Sequence, residues 1–138
     1  MKKISIFLTL FLILLMFGCG NVANNKLDYD DFPNLVLTNI EEVNLKLANR
    51  NDVFYLYLIS DDCETCVSLK PTILTRFDKE GYLKMANPHV YIINVDKVYD
   101  FKELYKYEKS PALLKVENNV IKEAVYDENK ILRIINKL

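Results

Sequence analysis

Val53-Phe54-Tyr55-Leu56-Tyr57-Leu58-Ile59, then Ser60-Asp61-Asp62, then Cys63-Glu64-Thr65-Cys66 is the stretch that decides the fold. Seven consecutive apolar residues without alternation, aromatic and β-branched among them, suit a central strand buried on both faces. Ser60, Asp61 and Asp62 end it with side chains that favour turns. Beyond the cysteines, Val67, Leu69, Ile73, Leu74 and Phe77 predict a helix over Val67 to Lys79. Two cysteines three apart thus fall between the end of a buried strand and the first turn of a helix. At that spacing both sulfurs are close enough to bond. A helix N-terminus offers unpaired N–H groups and partial positive charge, which stabilise a thiolate. The order assigns roles. Cys63, at the exposed tip, attacks; Cys66, one turn inside and packed on the sheet, resolves the mixed disulfide. A structural disulfide and a metal site stay open as readings of the same pair. A closed zinc site takes four ligands, and only His89 is to spare. His89, just ahead of a strand, reads as a surface residue.

Outward from this stretch the pattern alternates. Leu35-Val36-Leu37 is a short strand. Thr38 with Glu41 is a capping-box pair, and Ile40, Val43 and Leu47 share one face of a helix over 39–50. Val90 to Val95 is a second buried strand, and Phe101, Leu104 and Tyr105 mark a short helix. Ala112 to Val116 and Val120 to Tyr126 are strands around Asn118-Asn119, a turn whose asparagines tolerate positive φ. Ile131, Leu132, Ile134, Ile135 and Leu138 give a last amphipathic helix. The order is β-α-β-α-β-α-β-β-α. The early strands joined by helices are expected to run parallel and the last pair antiparallel. The expected architecture is α/β, a mixed sheet with helices on both faces. The nine tyrosines read as core and rim packing, with Tyr99, Tyr105 and Tyr107 as candidates for lining a partner groove.

The N-terminus reads as an address. Lys2-Lys3 precede Ile4 to Phe17, fourteen residues without a charge, and Gly18-Cys19 follow. That reads as a secretory signal, too short to span a bilayer of ~30 Å comfortably as a lone anchor, with an uncleaved signal anchor and an incidental cysteine as the other reading. Its end resembles the lipobox of bacterial lipoproteins, where the cysteine is acylated. Residues 1–18 are therefore expected to be a signal peptide, 19–34 a lipidated Cys19 with a polar tether, and 35–138 the folded domain. Removing residues 1–18 takes two lysines and no acid. It leaves 16 of the 18 basic side chains against all 19 acidic ones, a net charge of −3. No basic footprint for nucleic acid remains. Aromatics at 12% exclude intrinsic disorder, and three cysteines exclude a disulfide-rich mini-protein. The acidic cluster Asp28, Asp30 and Asp31 reads as solvated chain.

The strand Val53–Ile59, the pair Cys63-Glu64-Thr65-Cys66, Pro71 five residues on, Ser110-Pro111 ahead of a strand, and the closing hairpin and helix together resemble the thioredoxin family. The resemblance covers about Leu35 to Leu138. It implies a thioredoxin-like three-layer α/β/α fold with a mixed central sheet. It implies that Pro71 kinks the active-site helix, where its ring crowds the Val67 carbonyl. It also implies a cis peptide at Ser110–Pro111, lying against the disulfide where substrate docks. No cofactor or metal is expected beyond the Cys63–Cys66 pair itself. Thr38-Asn39-Ile40-Glu41-Glu42 with Asp62 to Cys66 is similar to bacteriocin-transport accessory proteins. The sequence departs from the family in three places near the cysteines. Asp62 stands where a tryptophan is usual, Tyr57 where thioredoxins bury an acid, and Glu64-Thr65 where they carry Gly-Pro.

The expected function is a thiol–disulfide oxidoreductase tethered to the bacterial cell membrane on its extracytoplasmic face. Its partners would be exported thiol proteins or a membrane redox protein, and the membrane through Cys19; nucleic acid is not among them. The alternative is a non-catalytic accessory or binding module, for an exporter or secreted peptide, braced by a structural disulfide.

Overall fold

The computed structural model describes residues 26–138. The signal at 1–18, Cys19 and residues 20–25 of the tether lie outside the described residues. The elements run β1 (Val36–Leu37), α1 (Ile40–Asn49), β2 (Phe54–Ile59), α2 (Glu64–Lys79), β3 (Val90–Asn94), α3 (Phe101–Tyr105), β4 (Ala112–Glu117), β5 (Val120–Val125) and α4 (Glu128–Ile135). Short 3-10 turns at Tyr29–Asp31 and Tyr82–Lys84 add to the expected order. Helix α1 starts one residue later than the Thr38/Glu41 pair predicts. Asn39 caps it, its Oδ1 accepting from Glu42 N at 2.9 Å, while Glu42 Oε2 accepts from Thr38 N at 2.7 Å. Helix α2 stops at Gly81, whose φ of +72° suits a residue without a Cβ.

The five strands form one sheet in the order β1-β3-β2-β4-β5. β1 and β2 run parallel to β3, whereas β4 runs antiparallel to β2, although a helix precedes it. The early helix-joined strands are parallel as expected, and the mixed sheet is completed at β4. A parallel neighbour needs a long connection, but a long connection does not require a parallel neighbour. β5 returns antiparallel through Asn118 and Asn119, at φ +52° and +63°.

Side-chain alternation splits the core into two layers. Tyr57, Ile59, Val90, Ile92 and Leu113 face α2 and α4, which contribute Leu69, Ile73, Leu74, Phe77, Ile131 and Ile135. Phe54, Leu56, Leu58, Tyr91 and Ile93 face the other way, against Val43 of α1 and Phe101 of α3. The result is three layers, α/β/α.

The packed unit starts earlier than residue 35. Phe32 and Leu35 are fully buried in the α2 layer, with Leu27 and Tyr29 against them. Asn34 Nδ2 donates to Tyr82 O at 2.7 Å, and Asp28 pairs with Lys70 of α2 at 2.7 Å. The acids here point outward while Leu27, Tyr29 and Phe32 turn in, so the segment reads as polar tether only if its charges are counted without its apolar residues.

Arg50, at the end of α1, is buried at 8% exposure. Its Nη1 donates to Pro88 O at 2.7 Å and to Tyr91 Oη at 3.1 Å, and its Nε to Asp52 Oδ1 at 2.8 Å. The guanidinium also lies 4.9 Å from the Phe54 ring centroid. The pairing with Arg50 holds the Asp52 carboxyl below its ordinary range, and Lys70 does the same for Asp28. A carboxylate lowered in the folded state adds stability that is complete above its unfolded value of ~3.9. That stability is lost as pH falls through the lower folded value. The thermal midpoint is therefore expected to be level from about pH 7 to 5 and to drop below about pH 4, less steeply in Asp52→Asn. A midpoint unchanged down to pH 2 would contradict this assignment.

Candidate active site

The strand β2 delivers the chain to the site. Beyond Ile59 the turn closes with Cys63 N donating to Ser60 O at 3.3 Å. Cys63 is then the N-cap of α2: its backbone is extended, its carbonyl accepts from Val67 N, and its Sγ accepts from Cys66 N at 3.0 Å. That N–H is one that a helix start leaves without an intrahelical acceptor. Cys63 and Cys66 are joined in a disulfide with Cα atoms 5.2 Å apart. Cys63 is 9% exposed and Cys66 4%, so both are largely buried and Cys63 is the more accessible.

The Ser110–Pro111 peptide is cis. Thr65, between the cysteines, shares an open groove of about 470 Å³ with Lys109, Ser110, Pro111, Tyr126, Asp127 and Glu128. The fold thus brings the cysteine turn and the Ser110–Pro111 loop to one cleft. Tyr126 to Glu128 were not foreseen as its wall; the junction of β5 with α4 carries no signal except the cap Asp127, whose Oδ1 accepts from Lys130 N.

Pro71 sits apart from this cleft. Helix α2 is one element from Glu64 to Lys79 with Pro71 inside it. The missing N–H leaves the Val67 carbonyl without its helical donor. The Pro71 ring lines a larger groove of about 540 Å³ with Thr72, Thr75, Arg76, Lys79 and Asn136, which contains no thiol. Val67, expected on the buried face, is 66% exposed. The buried stripe is Cys66, Leu69, Ile73, Leu74 and Phe77, and Val67 lies off it.

Charge around Cys63 is acidic. Asp61, Asp62 and Glu64 are exposed beside it. Asp61 Oδ1 accepts from Asn94 Nδ2 at 2.7 Å, and Asp61 N donates to Asp96 Oδ2 at 2.8 Å. The Asp61 amide first, and then Lys102, hold the Asp96 carboxyl below its ordinary range. Lys70, one turn beyond Cys66, is occupied elsewhere: it pairs with Asp28 and lies 4.8 Å from the Tyr29 ring centroid.

Beneath the site, Tyr57 is fully buried and its hydroxyl has no hydrogen-bond partner among the described residues. Burial pushes its ionisation up. Arg50 is the one buried charged side chain among the described residues, so no buried carboxylate underlies the cysteines there. His89 precedes Val90, which pairs with Tyr55 near the start of β2, whereas Cys63 follows the end of β2. The histidine and the cysteines are at opposite ends of the sheet and cannot share a metal. Of the three tyrosines considered for a groove, Tyr107 reaches the site, its Oη 3.0 Å from Ser110 Oγ. Tyr105 packs on Phe101 in the other layer, and Tyr99 is out in solvent. Asn94 and Asp96 were missed. Pairing β3 with β2 in parallel register puts Asn94 beside Ile59, which is where their signal lies.

No protein-family model matches the chain, and no curated protein matches it in sequence. Solved structures do match in fold. The oxidised mitochondrial thioredoxin 3 of Saccharomyces cerevisiae superposes with a TM-score of 0.59 at 14% identity, over 78% of this chain and 99% of that one. Plasmodium falciparum thioredoxin gives 0.58 at 15%, over 74% and 96%. The N21Q mutant thioredoxin of Halobacterium salinarum gives 0.53 at 22%, over 75% and 88%. The chain has a thioredoxin-like fold.

Proposed function

We propose that this protein is a thiol–disulfide oxidoreductase in which Cys63 is the nucleophile and Cys66 the resolving thiol. The observation that carries this is the position of the disulfide at the first turn of α2, where Thr65, between the two cysteines, lines one groove with Ser110 and Pro111. In the reducing direction the Cys63 thiolate attacks a substrate disulfide, and one substrate sulfur leaves as a thiolate. The Cys66 thiolate then attacks Cys63 Sγ and expels the second substrate sulfur. The substrate gains two electrons and Cys63–Cys66 is left oxidised; the reverse sequence oxidises a dithiol. The Cys66 N–H, 3.0 Å from Cys63 Sγ, favours the attacking thiolate.

Magnitude argues against a purely bracing role. A disulfide that closes a loop of about four residues contributes only ~2 kcal/mol through chain entropy. The Cys63–Cys66 bond joins a helix turn to itself, at a sequence separation of 3, and ties no distant segments together. The low exposure of both sulfurs is what favours the second reading, an accessory module with an inert disulfide. Incubating the oxidised, folded protein with glutathione or dithiothreitol and alkylating the freed thiols separates the two. Exchange at Cys63 supports the oxidoreductase; a disulfide untouched until the protein unfolds supports the module.

The direction of electron flow is read from charge. A carboxylate at ~7 Å, at an effective dielectric of ~40–80, disfavours the thiolate by about 0.6–1.2 kcal/mol before screening. The helix N-terminus favours it by roughly 0.3–2 kcal/mol. Asp61, Asp62 and Glu64 therefore balance or outweigh the helix contribution; Lys70 is held away by Asp28, and Lys109, which lines the groove with Thr65, is the cation that opposes them. The Cys63 thiol is expected to behave more like a free thiol than like the strongly acidified thiol of an oxidant, which puts the protein toward the reducing end of the fold's range. Thiolate absorbance against pH on Cys66→Ser measures this, and a midpoint below about pH 6 would overturn the argument.

The site of action follows from the N-terminus. Lys2-Lys3, the apolar run and Gly18-Cys19 support a lipid anchor on Cys19, with the domain outside the cytoplasmic membrane and exported thiol proteins or a membrane redox protein as partners. Palmitate labelling that disappears in Cys19→Ser tests the anchor.

A further inference from the structure

We infer that Asp96, Lys102 and Tyr107 are positioning residues, holding the turn that carries Cys63 and the loop that carries Ser110–Pro111 at a fixed spacing for a polypeptide substrate. The inference rests on the oxidoreductase reading. The roots of both segments are set by the sheet, where Ile59 pairs with Asn94 and Leu58 with Ala112. Their tips, 60–63 and 107–111, lie beyond the ladder and share no backbone pairing.

A chain of side chains joins those tips. Asp61 N donates to Asp96 Oδ2 at 2.8 Å, and Asp96 N donates to Asn94 Oδ1 at 3.0 Å. Lys102 Nζ donates to Asp96 Oδ1 at 3.1 Å and lies 5.7 Å from the Tyr107 ring centroid. Tyr107 Oη and Ser110 Oγ are 3.0 Å apart. The path begins two residues before Cys63 and ends at the residue before Pro111.

Each link is weak by itself. The Lys102–Asp96 pair is half exposed on one side and a third exposed on the other, and such pairs and exposed cation–π contacts contribute little to folding. What they do is remove relative freedom of two loop tips. A small disulfide needs only Cys63 Sγ. A polypeptide that presents a disulfide to Cys63 and runs on into the groove lined by Thr65, Ser110 and Pro111 spans both tips, so it senses their spacing.

Three near-isosteric variants test this without threatening the core. Asp96→Asn keeps an acceptor for the Asp61 amide and removes the charge facing Lys102. Lys102→Met cuts the middle of the chain. Tyr107→Phe keeps the ring and removes the hydroxyl from Ser110. With insulin as the polypeptide disulfide and dithiothreitol as the reductant that restores the Cys63–Cys66 dithiol, each is expected to raise KM about three- to tenfold with kcat within twofold. The rate with oxidised glutathione should stay within twofold. Lys102→Met with Tyr107→Phe should be no worse than the more severe single variant, because both break one path. Unchanged KM, equal losses with insulin and glutathione, or additive effects would overturn the inference while wild-type exchange leaves the proposed activity standing. A wild-type protein that exchanges with neither substrate overturns both.

Discussion

Cys63→Ser is expected to abolish exchange with any disulfide, a loss on the order of 10³-fold or more, while Cys66→Ser stops the reaction one step later. The difference follows from position. Cys63 caps α2 with its sulfur at the helix tip and receives the Cys66 N–H; Cys66 sits on the buried stripe with Leu69 and Ile73. Without Cys63 there is no accessible thiolate to open a substrate disulfide. Without Cys66 the first attack still occurs, but nothing internal expels the bound substrate sulfur. Cys66→Ser should therefore accumulate mixed disulfides, stable to non-reducing electrophoresis and released by dithiothreitol. Both variants should remain folded, since the disulfide's own contribution is only ~2 kcal/mol against a domain stability of about 5–15 kcal/mol. Mixed disulfides trapped by Cys63→Ser and not by Cys66→Ser would reverse the two roles.

Much of this site is legible in the sequence because its physics is local. Seven apolar residues before a turn, two cysteines, and a helical stripe after them place both sulfurs at a helix N-terminus. Asn118-Asn119 announces its hairpin in the same way, through backbone conformation that few residues tolerate. The cleft wall is less legible, because Thr65, Lys109 and Glu128 meet through strand order and not through spacing. The direction of β4 is likewise decided by which neighbour it pairs with. Arg50 shows the limit most clearly: in sequence it is one more charge at a helix end. Its burial depends on Pro88 O and the Tyr91 hydroxyl, 38 and 41 residues away.

The segment before β1 shows how charge can mislead, and it yields the second large effect. Asp28, Asp30 and Asp31 suggest solvated tether, yet Phe32 between them and β1 is fully buried. Its ring meets Phe77 of α2 edge-on at 6.4 Å, and Phe77 in turn lies 4.9 Å from Tyr82. Phe32→Ala removes that transfer energy and leaves a cavity that the surrounding layer cannot fully close, at a cost of about 3–5 kcal/mol. Stability from denaturant unfolding should fall by that amount with an unchanged slope. Lys70→Met, which breaks only the surface pair with Asp28, should cost less than about 1 kcal/mol. If residues 27–34 were tether, Phe32→Ala would cost under about 0.5 kcal/mol, the range of ordinary surface substitutions. The two outcomes differ by several kcal/mol and decide where the folded domain begins. Phe77 belongs to the last turn of α2 and the cysteines to its first. Molecules of Phe32→Ala that stay folded should therefore exchange with oxidised glutathione at the wild-type rate, separating loss of folded protein from loss of reactivity.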